Sequence, residues 1–164
     1  MRRWIRWRKH KAVIIIYPVE AERLSQAIAL AHSGDRVIKV KQVNIEQKTA
    51  DDCYEIDRAA KDAYQNPMEE IDSIDVVYYL GGIETRQKDS MDLTYLDAFK
   101  EQSVIGLFRL IKAYAKCGHI RNNTKLKIVT NHVYKVEEAD QLRPFQQGFS
   151  GWENQLKRNF EAVM

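Results

Sequence analysis

Tyr134 and Lys135 are side chains of the kind that pass a proton to a substrate oxygen, and Asn131-His132 just before them offers an imidazole base. Spacing argues against both. A tyrosine and a lysine that share a task on a helix lie one turn apart, whereas neighbours at i and i+1 face different ways. A lone histidine without a carboxylate partner recognisable in the sequence is more often structural or exposed than a base. Cys117 and His119 bring two metal-ligating types to one helix end, short of the four ligands that a structural zinc takes. Asp72, Asp75, Asp89 and Asp92 lie close in sequence, but at turns and helix starts, where Asp is expected for its capping hydrogen bonds. No catalytic, cofactor-binding or metal-ligating residue is assigned from these groups.

The elements that would position such residues alternate along the chain. Ala12–Tyr17 is a continuous β-branched run, expected of a strand buried on both faces and ended by Pro18. Leu24, Ala27, Ile28 and Ala31 form a helical stripe, and Ser33-Gly34-Asp35 a turn. Arg36–Lys41 reads as a second strand. Thr49-Ala50-Asp51-Asp52 looks like a capping box that opens a helix with Cys53, Ile56, Ala60, Ala63 and Tyr64 inward, broken at Asn66-Pro67. Asp75–Leu80 is a third strand, closed by Gly81-Gly82. A long helix then carries Leu96, Phe99, Val104, Leu107, Phe108, Ile111 and Tyr114 on one face up to Gly118. Leu126–Asn131 is a further strand. Phe145, Phe149, Trp152, Leu156 and Phe160 are spaced for a last helix. Strands separated by helices predict an α/β chain, a three-layer Rossmann-like fold with a mainly parallel sheet.

Such a fold binds a dinucleotide through glycines in its first strand-to-helix turn, where the backbone approaches the pyrophosphate. Here that turn is Tyr17-Pro18-Val19-Glu20-Ala21-Glu22, without a glycine. Pro18 removes an amide donor, and Glu20 and Glu22 place negative charge where phosphates would sit. Lys39 and Lys41 point the other way, since the end of the second strand is where a base can hold a 2′-phosphate. Their alternation also fits a solvated strand face, which is the reading favoured without the glycine loop.

The composition, 45 % hydrophobic and 30 % charged, fits one globular domain over residues 1–164. The net charge is +3, but residues 1–11 hold six Arg or Lys and no acid, leaving 20 basic against 23 acidic residues in the rest. The basic character is that of an N-terminal arm interleaved with Trp4 and Trp7. Packing of this arm as a strand on a neighbouring domain is preferred to nucleic-acid binding, because a short arm without a basic body is a poor electrostatic footprint. No apolar run approaches membrane-spanning length, and the charged start is not that of a signal peptide. Cys53 and Cys117 suggest neither a disulfide framework nor a zinc site. A cytoplasmic protein with no membrane and no nucleic-acid partner is expected.

Val76–Ile83, Gly106–Ala113 and Ile128–Asn131 resemble, in order and setting, the ketoreductase regions of modular polyketide synthases of the trans-acyltransferase type. Pro144–Trp152 resembles the last helix of their structural half, and residues 4–7 the strand that begins it. These ketoreductases are similar to two short-chain dehydrogenases/reductases in tandem: a truncated Rossmann-like structural subdomain without cofactor, then a half with the glycine-rich loop, NADPH and the catalytic residues. The latter reduces a β-ketoacyl chain on an acyl carrier protein. The resemblance implies that this chain is the non-catalytic structural subdomain, not an enzyme by itself. NADPH belongs to the missing half, whose glycine loop would follow residue 164. The implied partners are the catalytic subdomain and neighbouring synthase domains, including the acyl carrier protein, with Trp4, Ile5 and Trp7 as candidate contacts. The alternative is a free-standing Rossmann-like nucleotide-binding or sensor domain.

Overall fold

The computed structural model describes residues 10–43, 47–84, 93–118 and 124–131, the side chains of 47–49 excepted. The chain runs β1 (Ala12–Pro18), a 3-10 turn (Val19–Ala21), α1 (Glu22–Ala31), β2 (Arg36–Val43), β3 (Gln47–Ala50), β4 (Cys53–Asp57), α2 (Gln65–Glu69) and β5 (Val76–Gly82). It continues through α3 (Leu93–Lys100), a π-helical turn (Glu101–Ile105), α4 (Gly106–Lys116) and β6 (Lys125–Thr130). One sheet holds all six strands in the order β3-β4-β2-β1-β5-β6. Every pairing is parallel except β3 with β4. This is the truncated Rossmann-like α/β fold expected from the alternation of elements.

β1 sits at the centre because it can be buried on both faces. Ile14 and Ile16 join Ile38, Val40, Val77, Leu107 and Leu110 in the larger core under α4. Val13, Ile15 and Tyr17 face the other way, with Val76 and Leu80, toward α1. At the amino edge Asp75 ties three strands together. Its carboxylate accepts the Ala12 amide at 2.8 Å, its amide donates to the Ala12 carbonyl at 2.9 Å, and its carbonyl accepts the Lys125 amide at 2.9 Å.

Three expectations change. The helix predicted from the Thr49–Asp52 box is instead a hairpin: β3 and β4 pair antiparallel, with Ala50 opposite Cys53. Asp52 takes a left-handed φ of 60° in the turn, accepts the Arg36 guanidinium with both carboxylate oxygens (2.6–3.2 Å), and offers its carbonyl to the Lys39 amide. Cys53 and Ile56 fit a helical stripe as well as a strand; in the strand it is Tyr54 and Ile56 that are buried. Pro67 does not break a helix but sits in the first turn of α2, where a missing amide leaves no bond unmade. Gly81 and Gly82 lie inside β5, not after it.

The two amphipathic stripes are displaced as well. On α1, Ser25 is buried and Ile28 and Ala29 are half-buried, while Leu24, Ala27 and Ala31 are exposed. On the long helix Phe108 is exposed and Leu110 is buried in its place. The π-turn holds an extra residue, so the apolar face beyond it is rotated relative to a uniform α-helical period. Among the described residues no helix is long and apolar enough to cross a membrane.

Asp52 yields the first test. Asp52→Ala and Asp52→Gly both lose the Arg36 pair, but only alanine keeps the cost of a left-handed Cβ. Urea titration should find Asp52→Gly the more stable by roughly 0.5–1 kcal/mol, after allowing for the extra unfolded-state entropy of glycine.

Candidate functional site

In an open parallel sheet a ligand site forms at the carboxyl ends of the strands, where the strand order reverses. Here that place is between β1 and β5. On the β1 side the chain passes through Pro18 into the 3-10 turn and α1 without a glycine. Glu22, in the first turn of α1, accepts the Lys41 ammonium at 3.0 Å. That bond, before any other influence, pushes the Lys41 pKa up. Lys41, the sequence candidate for a 2′-phosphate, is thus held by a carboxylate of the chain itself. Tyr17 lies beside this pair, its phenol pushed up first by burial and then by the Glu22 charge. Lys39 lies half-buried in mid-strand, in register with Ile15 and Cys53.

On the β5 side, Asn131 clamps the ends of β5 and β6. Its Oδ1 accepts the Glu84 amide at 2.9 Å and its Nδ2 donates to the Glu84 carbonyl at 2.7 Å. The Glu84 side chain is buried, and its carboxylate accepts the Tyr95 hydroxyl at 2.9 Å. Glu84 is an acidic group at the strand ends that the sequence reading passed over.

Behind the crevice, on the α4 face, lies a buried polar network. Tyr79 donates its hydroxyl to the carbonyl of Gln102 at 2.6 Å, with the carbonyl of Ser103 at 3.0 Å. Both carbonyls belong to the π-turn, whose wider winding disturbs the regular ladder. Gln42 on β2 donates its amide to the Tyr64 hydroxyl at 2.8 Å and to the same Gln102 carbonyl at 3.1 Å. The Gln102 side chain reaches back to the Gly81 carbonyl at 3.3 Å. A Cβ on Gly81 would stand 2.5 Å from the Gln102 carbonyl oxygen, and one on Gly106 would stand 2.4 Å from the Tyr79 hydroxyl. The two glycines therefore allow helix and strand to touch. Desolvation pushes Tyr64 up to about 12 and Tyr79 well above the ordinary phenol value. Both are neutral phenols at physiological pH and act as hydrogen-bonding struts, not bases.

A second polar cluster lies on the α1 face, toward the amino edge. His32, at the end of α1, contacts Asp35 through Nδ1 (2.9 Å) and the Tyr78 hydroxyl through Nε2 (3.0 Å). Lys127 of β6 donates to the same hydroxyl at 3.0 Å. Carboxylate, imidazole, phenol and ammonium thus form a chain from three elements, which fastens α1 to β5 and β6. No short motif announces it, because Tyr78 lies 46 residues from His32 and 49 from Lys127.

The other sequence candidates do not converge. Asp72 is exposed at a turn, and Asp75 fastens the strand edge. Cys117 is half-buried, its thiol pushed up by desolvation. Among the described residues no three His, Cys, Asp or Glu side chains gather as a metal would require. His119, His132, Tyr134, Lys135, Asp89, Asp92, the arm with Trp4, Ile5 and Trp7, and the helix from Phe145 to Phe160 lie outside the described residues.

Two measurements test these networks. Gly106→Ala should destabilise by about 1–3 kcal/mol through overpacking, and Tyr79→Phe by about 1–2 kcal/mol through loss of the phenol donor to the Ser103 and Gln102 carbonyls, the latter keeping Gln42; denaturant midpoints report both. Asp35 is held below the usual carboxylate range, first by His32 and then by the Lys11 amide. Its contribution is complete above the unfolded carboxylate pKa and is lost as pH falls through the lower folded value. The stability gap between wild type and Asp35→Asn should therefore shrink between neutral pH and about pH 3.

No protein-family model and no curated protein matches the sequence. Solved structures do. One is the adenylation, ketoreductase and pseudo Asub multidomain structure of a keto acid-selecting NRPS module, at 14 % identity and TM-score 0.76 over 93 % of this chain. Another is an N-terminal ketoreductase from the macrolactin assembly line, at 9 % identity and TM-score 0.58 over 73 % of this chain. A third is the aldohexose dehydrogenase of Thermoplasma acidophilum in ligand-free form, at 16 % identity and TM-score 0.66 over 92 % of this chain and 62 % of that one. The chain spans only 13 % and 25 % of the first two. The likeness shows that this chain shares the fold of these ketoreductase and dehydrogenase structures.

Proposed function

We propose that this chain is the non-catalytic structural half of a ketoreductase in a modular polyketide-type synthase, acting in the cytoplasm. It supports a catalytic half that holds NADPH and reduces a β-ketoacyl group carried on an acyl carrier protein. The observation that carries this reading is the β1–α1 turn. Without a glycine, with Pro18 in place of an amide donor and with Lys41 engaged by Glu22, it is poorly made for a pyrophosphate. The buried phenols behind it are struts. The fold is that of ketoreductase-related proteins, and two of the similar structures come from multidomain or assembly-line synthases.

The test is titration of the purified chain with NADPH, followed by addition of the catalytic half in trans. The expected outcome is no binding at the β1–α1 turn up to about millimolar cofactor, a free energy near −4 kcal/mol. Reduction of a β-ketoacyl thioester should appear only when the second half is supplied. Micromolar binding abolished by substitutions at Pro18 or Glu22, or reductase activity of the chain alone, would overturn the proposal.

A further inference from the structure

The outer face of α4 carries a feature that the scaffold role leaves unexplained. Arg109, Lys112 and Lys116 are spaced along one side of this helix, and α4 contains no acidic residue to pair with them. Across from them run the segment between β4 and α2, which adds Lys61 and Asp62, and the start of α2, which adds Gln65. Between the two lies an open cleft of about 150 Å³ with Ala113 among its walls. Four cations thus face one carboxylate among the lining residues.

Two of the cations are already positioned. Arg109 donates to the Arg58 carbonyl at 2.6 Å and pairs with Glu101 at 2.7 Å, which fixes its guanidinium at the cleft wall. Lys116 donates to the Gln65 Oε1 at 2.7 Å, and Gln65 is itself oriented by Glu69. Lys61 and Lys112 are exposed. Like charges one helical turn apart repel, as at Lys112 and Lys116, and here no acid within α4 relieves them. A concave wall of one sign concentrates field toward an anion. With Glu101 taken by Arg109 and Asp62 opposing one lysine, about two positive charges remain, the complement of a dianion.

We propose that this cleft binds the phosphate or pyrophosphate group of a small molecule. The cations surround a common hollow, as recognition of a compact polyanion requires, instead of forming a flat strip. The site lies on the α4 face, away from the β1–β5 crevice, and it goes beyond the scaffold function.

The experiment is calorimetric titration of the full chain at low ionic strength with inorganic pyrophosphate, with ADP and with citrate. Saturable binding of pyrophosphate is expected, weakened about tenfold or more by Lys112→Glu/Lys116→Glu and strengthened by Asp62→Asn. The Asp62→Asn gain separates a binding role from a loss of fold. Equal affinity for pyrophosphate and ADP would show that phosphate alone is recognised; a markedly tighter ADP would show that the nucleoside also lies in the cleft. Absence of saturable binding, affinity unchanged by the charge reversal, or equal binding of citrate would overturn the assignment. NADPH binding that disappears in the Lys112→Glu/Lys116→Glu variant would belong to this cleft and leave the scaffold reading intact. NADPH binding that persists there would count against the scaffold reading instead.

Discussion

Tyr79 is buried in the larger core, and its hydroxyl must find acceptors there or leave a polar group unpaired at a cost of about 1–3 kcal/mol. It finds them in the carbonyls of Gln102 and Ser103, displayed by a π-helical turn between α3 and α4. Much of the carboxyl end of the sheet follows from that bond. Gly81 and Gly106 must lack a Cβ for strand and helix to come close enough. Gln42 can serve Tyr64 and Gln102 together only because those groups already share one pocket. Arg58 then reaches the Gln102 side chain, and Arg109 the Arg58 carbonyl, so the same network ends at the wall of the basic cleft.

The inner members of this network are neutral phenols, amides and carbonyls, with Gln42 Oε1 and Ser103 Oγ buried without a hydrogen-bond partner among the described residues. Acid–base work requires a group that changes charge near the working pH, in contact with a substrate. Tyr64 and Tyr79 are moved away from that range by desolvation. At the crevice itself, Glu22 and Lys41 neutralise each other.

The legible parts of the fold were those with one dominant signal. β1 and β5 are apolar without interruption because parallel strands are buried on both faces, and no helix reading competes at that length. The missing glycine was legible because it is a local requirement of the backbone. β3 and β4 were not, since Asp51-Asp52 suits a helix start as well as a turn, and a five-residue strand is too short to separate its period of two from the helical one. The phase of α4 was obscured by the π-turn, which leaves no mark in composition. The polar clusters were illegible for a different reason: Gln42, Tyr64, Tyr79 and Gln102, like His32, Tyr78 and Lys127, meet only through the topology.

The antiparallel β3 explains the ambiguity of Lys39 and Lys41. Right-handed crossovers from β1 to β2 and from β2 to β4 move across the sheet in the same direction, so their helices would cover the same face. The first crossover supplies α1; in the second connection β3 goes to the sheet edge, and among the described residues no helix lies between β2 and β4. One face of β2 and β4 is therefore only half-covered, which the burial records: Val37, Lys39, Lys41, Cys53, Glu55 and Asp57 are half-exposed, whereas Ile38, Val40, Gln42, Tyr54 and Ile56 are buried. The lysines alternate along β2 because that face is wet.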